Sequence, residues 1–389
     1  MRVDGKVLVF TDLHVGLKSD SLSRLQICEN VVNQIVDRCK KDRIKNCFFL
    51  GDFFHSRNSI NVQTLDVANR CMELLTKNVH VYFCLGNHDI FNKNTVDVNS
   101  INIFRDKPNF TLIDKTTEID LNGQKILMCP WLADYTGLKP DSYDLLFGHF
   151  DIPADFLIEQ YKKDNRTNNK SSSSVSKKID GDDFFKDVEF ETEETIGDYI
   201  DLLKERGTIY SGHIHGRREF KVRGRKFVFV GSPYQQNFGD MDRILGYYVL
   251  DEDNNSEFTE IKDVPRHVIL KISDIENTGV DNFDFSIVSG NIVKKNYDVE
   301  IDRVEDSRIT QKITDFKPFE ETVPDYTVTV DFSVENGEET TIDVMQKSEI
   351  EYLHNYIDNI DQKSLENEKI DPKRLYGIMS EYYNKVKGL

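Results

Sequence analysis

Lys6-Val7-Leu8-Val9-Phe10-Thr11 is a short apolar run that stops at the polar triplet Asp12-Leu13-His14. A run of this length with a polar break reads as a buried strand. The next periodicity differs: Leu25, Cys28, Val32, Ile35 and Cys39 recur at three- and four-residue spacing, which predicts a helix over residues 21–40 with one buried face. Residues 46–50 return to a strand, 62–76 to a helix and 79–85 to a strand. Strands alternating with crossover helices predict an α/β layered domain with parallel pairing. Strand-like pieces follow at 125–129, 144–147, 208–211, 221–230 and 246–250.

The pattern breaks between residues 161 and 195, where four consecutive serines among Asn and Lys precede an acidic patch; this reads as a solvated insertion. From Pro265 a smaller α+β unit begins, with strands expected over 267–272 and 327–332 and a helical segment between them. Beyond an acidic connector at 335–341, two helical periods appear. One is Ile350, Leu353, Ile357 and Ile360; the other, after Asp371-Pro372, is Leu375, Met379, Tyr382 and Val386. The expected boundaries are 1–262, 265–335 and 345–389.

The chain has 389 residues, with 50 Lys and Arg against 68 Asp and Glu, a net charge of −18. Taken alone, that charge argues against a general polyanion binder. Residues 1–250 carry 34 basic and 36 acidic groups, whereas residues 251–389 carry 16 and 32, so the acidity belongs to the C-terminal third. No apolar run approaches the ~18 residues of a membrane span, and no secretory leader is expected. All six cysteines lie in the first third without a CxxC pair, which reads as reduced, buried thiols in a cytoplasmic protein.

Each expected strand of the first domain ends in a polar signature: Asp12-Leu13-His14, then Gly51-Asp52-Phe53-Phe54-His55, Gly86-Asn87-His88-Asp89, Gly148-His149 and Gly212-His213-Ile214-His215. Ligands of open α/β sheets bind at the carboxyl ends of strands, so five distant segments are expected to meet at one place. Asp, Asn and His without thiolate suit Mn, Fe or Zn better than an all-oxygen cage. Residues at i and i+2 of an extended segment share a face, so Asp12 with His14 and His213 with His215 are expected to present donors in pairs. Six of the nine histidines fall inside these signatures, and the conjunction predicts a dinuclear site. His80, His267 and His354 read as core or surface residues.

This order of signatures resembles the calcineurin-like metallophosphoesterases. GDxxH, with the later Gly231-Ser232-Pro233-Tyr234-Gln235-Gln236-Asn237-Phe238-Gly239, resembles their double-strand-break repair nucleases: the SbcD-type subunit of SbcCD, its phage recombination counterparts and the nuclease of MRN. The resemblance implies a layered β-sandwich flanked by helices, a small α+β capping domain and a C-terminal helical arm. It implies one metal held by Asp12, His14, Asp52 and His215, and a second by Asp52, Asn87, His149 and His213. Two cations ~3.5–4 Å apart clamp the attacking and leaving oxygens of a phosphodiester. His88 is then the group that stabilises the transition state or protonates the leaving oxygen. His55 stands where phosphatases of the superfamily carry Asp, and is expected to contact substrate phosphate. Two Mn2+ ions, exonuclease and endonuclease activity in DNA repair and recombination, a homodimer, and an SMC-like ABC ATPase partner docked on the C-terminal helices are also implied.

The basic run Arg217, Arg218, Arg223, Arg225 and Lys226 reads equally as a solvated hairpin and as a DNA-backbone contact. Two other functions stay open: a phosphodiesterase or phosphatase acting on small or protein substrates, and a DNA-end-binding scaffold with vestigial catalysis.

Overall fold

The computed structural model describes residues 1–92, 94–150, 199–222, 224–322 and 324–326. The insertion at 161–195, the strand expected over 327–332, the arm at 345–389 and Arg223 lie outside the described residues.

Val7, Val9, Phe48 and Tyr82 point to one side of their strands and Leu8, Phe10, Cys47 and Phe83 to the other, and all are buried. Both faces of this sheet are therefore covered, which is why its strands read as unbroken apolar runs. In spatial order the sheet runs Ser256–Glu260, Gly246–Leu250, Val7–Phe10, Asn46–Phe49, His80–Cys84 and Phe110–Ile113, the last four pairing in parallel. The helices Leu22–Asp42 and Val62–Asn78 make the crossovers and bury Leu25, Cys28, Val32, Ile35 and Met72 against one face. Asn61 caps the second by accepting a hydrogen bond from the Thr64 backbone N–H, 2.8 Å.

The other face meets a second sheet ordered Arg2–Val3, Thr117–Leu121, Gln124–Cys129, Tyr143–Gly148, Leu203–Ser211, Arg225–Phe229 and Arg218–Val222. Ile126, Met128, Phe147, Tyr210 and Val228 from this sheet share a core with Val9, Phe48 and Cys84 from the first, so the two sheets form a sandwich. The basic run forms the hairpin read for it, Arg218–Val222 pairing antiparallel with Arg225–Phe229 around Gly224, whose φ of 82° suits glycine. A third sheet contains His267–Lys271, Ile292–Tyr297, Glu320–Glu321 and Asp325–Tyr326. It has its own cluster around Leu270, Ile275, Phe285 and Ile309, with the helix Arg303–Asp315 across it. No helix among the described residues is long and apolar enough to cross a membrane.

Candidate metal centre

The parallel strands Val7–Phe10, Asn46–Phe49 and His80–Cys84 of the first sheet and Tyr143–Gly148 and Leu203–Ser211 of the second end at a common rim. Backbone bonds stitch the rim: Asp12 N–H donates to Gly51 O at 2.9 Å, His149 N–H to Cys129 O at 3.2 Å and Gly212 N–H to Gly148 O at 3.0 Å. Gly51 has φ 96°, and a Cβ there would press on His149 Nδ1; one on Gly86 would collide with the Asp52 carboxylate. Glycine at these positions lets the end of Asn46–Phe49 approach His149 across the sandwich and the end of His80–Cys84 approach Asp52 within its own sheet.

Two overlapping donor sets result. In one, His14 Nε2 lies 3.0 Å from His215 Nε2, 3.8 Å from Asp12 Oδ1 and 3.6 Å from Asp52 Oδ2. In the other, His149 Nε2 lies 3.4 Å from Asp52 Oδ2 and 2.9 Å from Asn87 Oδ1, which is 3.2 Å from His213 Nδ1. Ligands ~2.1 Å from a cation sit ~3.0–3.4 Å from one another in octahedral or tetrahedral arrangements. These spacings are close to that. Asp52 Oδ2 belongs to both sets.

The chemistry of the donors also fits cations. Asp12 Oδ1 is buried without a hydrogen-bond partner and faces the first set. Asn87 stands between the ring nitrogens of His149 and His213: with its oxygen toward them it offers a cation ligand, and with its NH2 toward them it donates to both and to Asp52 while its oxygen accepts from Arg57. His149 Nδ1–H donates to Leu50 O at 2.7 Å, leaving Nε2 to the site. Burial opposes a charge on His149, but Asp52 beside it lifts the imidazole to about 9. Burial likewise opposes the charge on Asp52, and the facing His149 overcomes it and holds the carboxyl well below its usual range. Burial pushes His14 down to about 4 and His213 to about 3, so both are neutral, the form that can hold a cation, whereas His149 would have to release its proton to do so.

Asp12, His14 and Asp52 do not present their side chains by strand alternation. Their φ angles are 54°, 47° and 58°, and His213 has 78°. The donors converge through left-handed turns just past the strand ends. Asp, Asn and His tolerate this region better than most residues, at a cost of order 1 kcal/mol each. The stretch 231–239 braces these turns from behind: Gln236 Nε2 donates to Asp12 O at 2.7 Å, Tyr234 Oη to Leu13 O at 3.1 Å, and Ser232 N–H to His215 O at 2.9 Å.

His88 and His55 lie at the open side, half-buried, with ring centroids 5.8 Å apart; the His88 ring is 4.9 Å from that of His14. His88 Nδ1–H donates to His55 O at 2.6 Å, which leaves Nε2 for other contacts. The basic run is engaged locally. Arg217 bonds the Tyr248 hydroxyl and Glu219, Lys226 pairs with Glu219, and Arg225 bonds Leu203 O and Asp141. Arg218 opens the edge strand of the second sheet.

Two residues near the centre went unread as site residues. Asp89 is buried and accepts hydrogen bonds from the backbone N–H groups of Asp52, Phe53 and Gly86 at 2.8–2.9 Å, tying two signature loops together. Burial, reinforced by the Asp52 charge, pushes it up to about 7. The other is Trp131, the chain's one tryptophan, at the end of Gln124–Cys129 after Pro130; its ring centroid is 5.1 Å from that of His213 and 5.9 Å from that of His149. A lone Trp directly after a strand end was the signal for it.

Exonuclease subunit 1 of Enterobacteria phage T4 is 24% identical over an alignment of 262 residues that covers 65% of this chain and 67% of that protein. A solved structure of a conserved uncharacterized protein from Streptococcus pneumoniae, described as a predicted phosphoesterase, is 12% identical and covers 67% of this chain and 99% of its own; its TM-score of 0.25 is too low to support a comparison. The sequence pattern of the calcineurin-like phosphoesterases matches residues 5–239, more than half of the chain. That span holds every donor gathered at the rim, and with it the chain belongs to the calcineurin-like phosphoesterase family, as a metal-dependent phosphoesterase.

Proposed function

We propose that this chain is a two-cation DNA nuclease that processes DNA ends, as the nuclease subunit of an SMC-like ATPase complex in recombination and double-strand-break repair. The observation that carries the phosphodiesterase part is Asp52 Oδ2, within 3.4–3.6 Å of one imidazole nitrogen from each donor set. Similarity to the phage exonuclease subunit favours the nuclease branch, as does His55 at the place phosphatases fill with Asp.

Asp12, His14, Asp52 and His215 would hold one cation; Asp52, Asn87, His149 and His213 the other. When bound, such a pair activates a water and neutralises charge on the phosphate. The donor mix of carboxylate, amide and imidazole suits Mn2+, Fe2+ or Zn2+, and the resemblance favours Mn2+. His88, oriented by its Nδ1 bond to His55 O, places Nε2 to donate a proton to the leaving oxygen. His55 stands beside it to meet the phosphate. Arg217, Arg218, Arg223, Arg225 and Lys226 would extend this contact along the DNA backbone.

Protein stripped by chelation and reloaded with Mn2+ should degrade duplex DNA, read on a gel. Hydrolysis of small phosphodiesters alone would favour a phosphodiesterase of small substrates, and failure to take up metal would favour the DNA-end-binding scaffold. The arm at 345–389 is assigned to the ATPase partner. A homodimer belongs to the same reading. Deleting 345–389 should abolish capture of a coiled-coil ATPase, while metal content and a dimer's sedimentation mass stay as in the full chain. Retained capture would refute the arm's role, and a monomer's mass in the full chain would refute the dimer.

A further inference from the structure

Trp131 is fixed in place and is not an incidental surface residue. Its backbone N–H donates to Leu85 O at 2.8 Å, just before Gly86-Asn87, and part of its indole packs on the helix-side core. The residue after it, Leu132, turns away in the left-handed region with φ 61° and is exposed. The indole is thus held half-buried beside His213 and His149, at the edge of the second donor set.

We infer that Trp131 is a specificity residue: a stacking platform for the base of a nucleotide flanking the scissile phosphate. This deepens the nuclease reading above and rests on it. An indole offers a flat apolar face of base-like size, and stacking on aromatic side chains is tolerant of sequence because every base has a π-face. The nearby ligand imidazoles fix where the phosphate sits, so a ring one side chain away is within reach of the adjoining base. A phosphate monoester or a strand without bases has nothing to place there.

The single tryptophan makes the test direct, since all indole fluorescence comes from this site. In His88→Ala protein with Mn2+, a short oligodeoxythymidine should quench the emission and inorganic phosphate should not. In the otherwise wild-type enzyme, kcat/KM should favour a base-bearing strand over an abasic one by roughly 5- to 100-fold. Trp131→Ala should lose that preference mainly through KM with metal content unchanged, and Trp131→Phe should keep most of it. DNA cleavage without quenching, or a preference surviving in Trp131→Ala, overturns the platform and leaves the nuclease. If Trp131→Ala loses metal while keeping the preference, the indole is only a wall for His149 and His213, and the platform fails. Quenching in the His88→Ala protein when the wild-type enzyme cleaves no DNA overturns the nuclease and leaves the stacking site.

Discussion

His88→Ala should lower kcat on DNA by about 10²–10⁴-fold while both cations stay bound. The His88 side chain belongs to neither carboxylate-bearing donor set, although its ring nitrogen clusters with those of His14 and His55 within 4.8 Å. The one bond its backbone makes to the centre, N–H to Asp52 Oδ1 at 2.8 Å, survives in alanine. What alanine removes is an imidazole whose Nδ1 is held by His55 O, with Nε2 presented at the half-open side. Turnover at saturating substrate and metal content by elemental analysis separate the two possibilities. Loss of metal in parallel with activity would make His88 part of the metal scaffold and sink its assignment as proton donor.

The largest effect on stability is expected at Asp89. Its carboxylate accepts three buried backbone N–H groups, those of Asp52, Phe53 and Gly86. Alanine would leave all three without an acceptor, and each orphan costs ~1–3 kcal/mol. The buried repulsion with Asp52 disappears at the same time and offsets part of that loss. Asp89→Ala should therefore unfold with about 3–5 kcal/mol less free energy in urea, and bind metal more weakly because the loops carrying Asp52 and Asn87 lose their tie. Asp89→Asn keeps one acceptor oxygen and should fall between. A loss under about 1 kcal/mol for the alanine variant would show that water replaces the carboxylate and that it is not the tie.

The early elements were legible because their signals are local. The helix expected over 21–40 is Leu22–Asp42, that over 62–76 is Val62–Asn78, and the strand at 246–250 is Gly246–Leu250. The short strands Phe110–Ile113 and Thr117–Leu121 were missed: the first is only four residues long, the second has only two apolar residues, and each takes its place from its sheet neighbours. At the centre, the donor residues could be read from their chemistry at strand ends, but the reason two of them converge could not. Alternation along an extended segment was the expectation for Asp12 and His14, and both are left-handed. Backbone conformation past a strand end depends on what braces it, here Gln236 and Tyr234 more than 200 residues away.

Residue type and periodicity were enough to name the layered α/β fold, the five strand ends and the kinds of atoms they offer, because each depends on neighbours within a few positions. Packing alone put Asp52 Oδ2 within reach of both donor sets, gave Asp89 its three N–H groups and stood Trp131 against His213. These rest on contacts between segments that are distant in the chain, and a linear order of residues holds no distance between them until the two sheets close face to face.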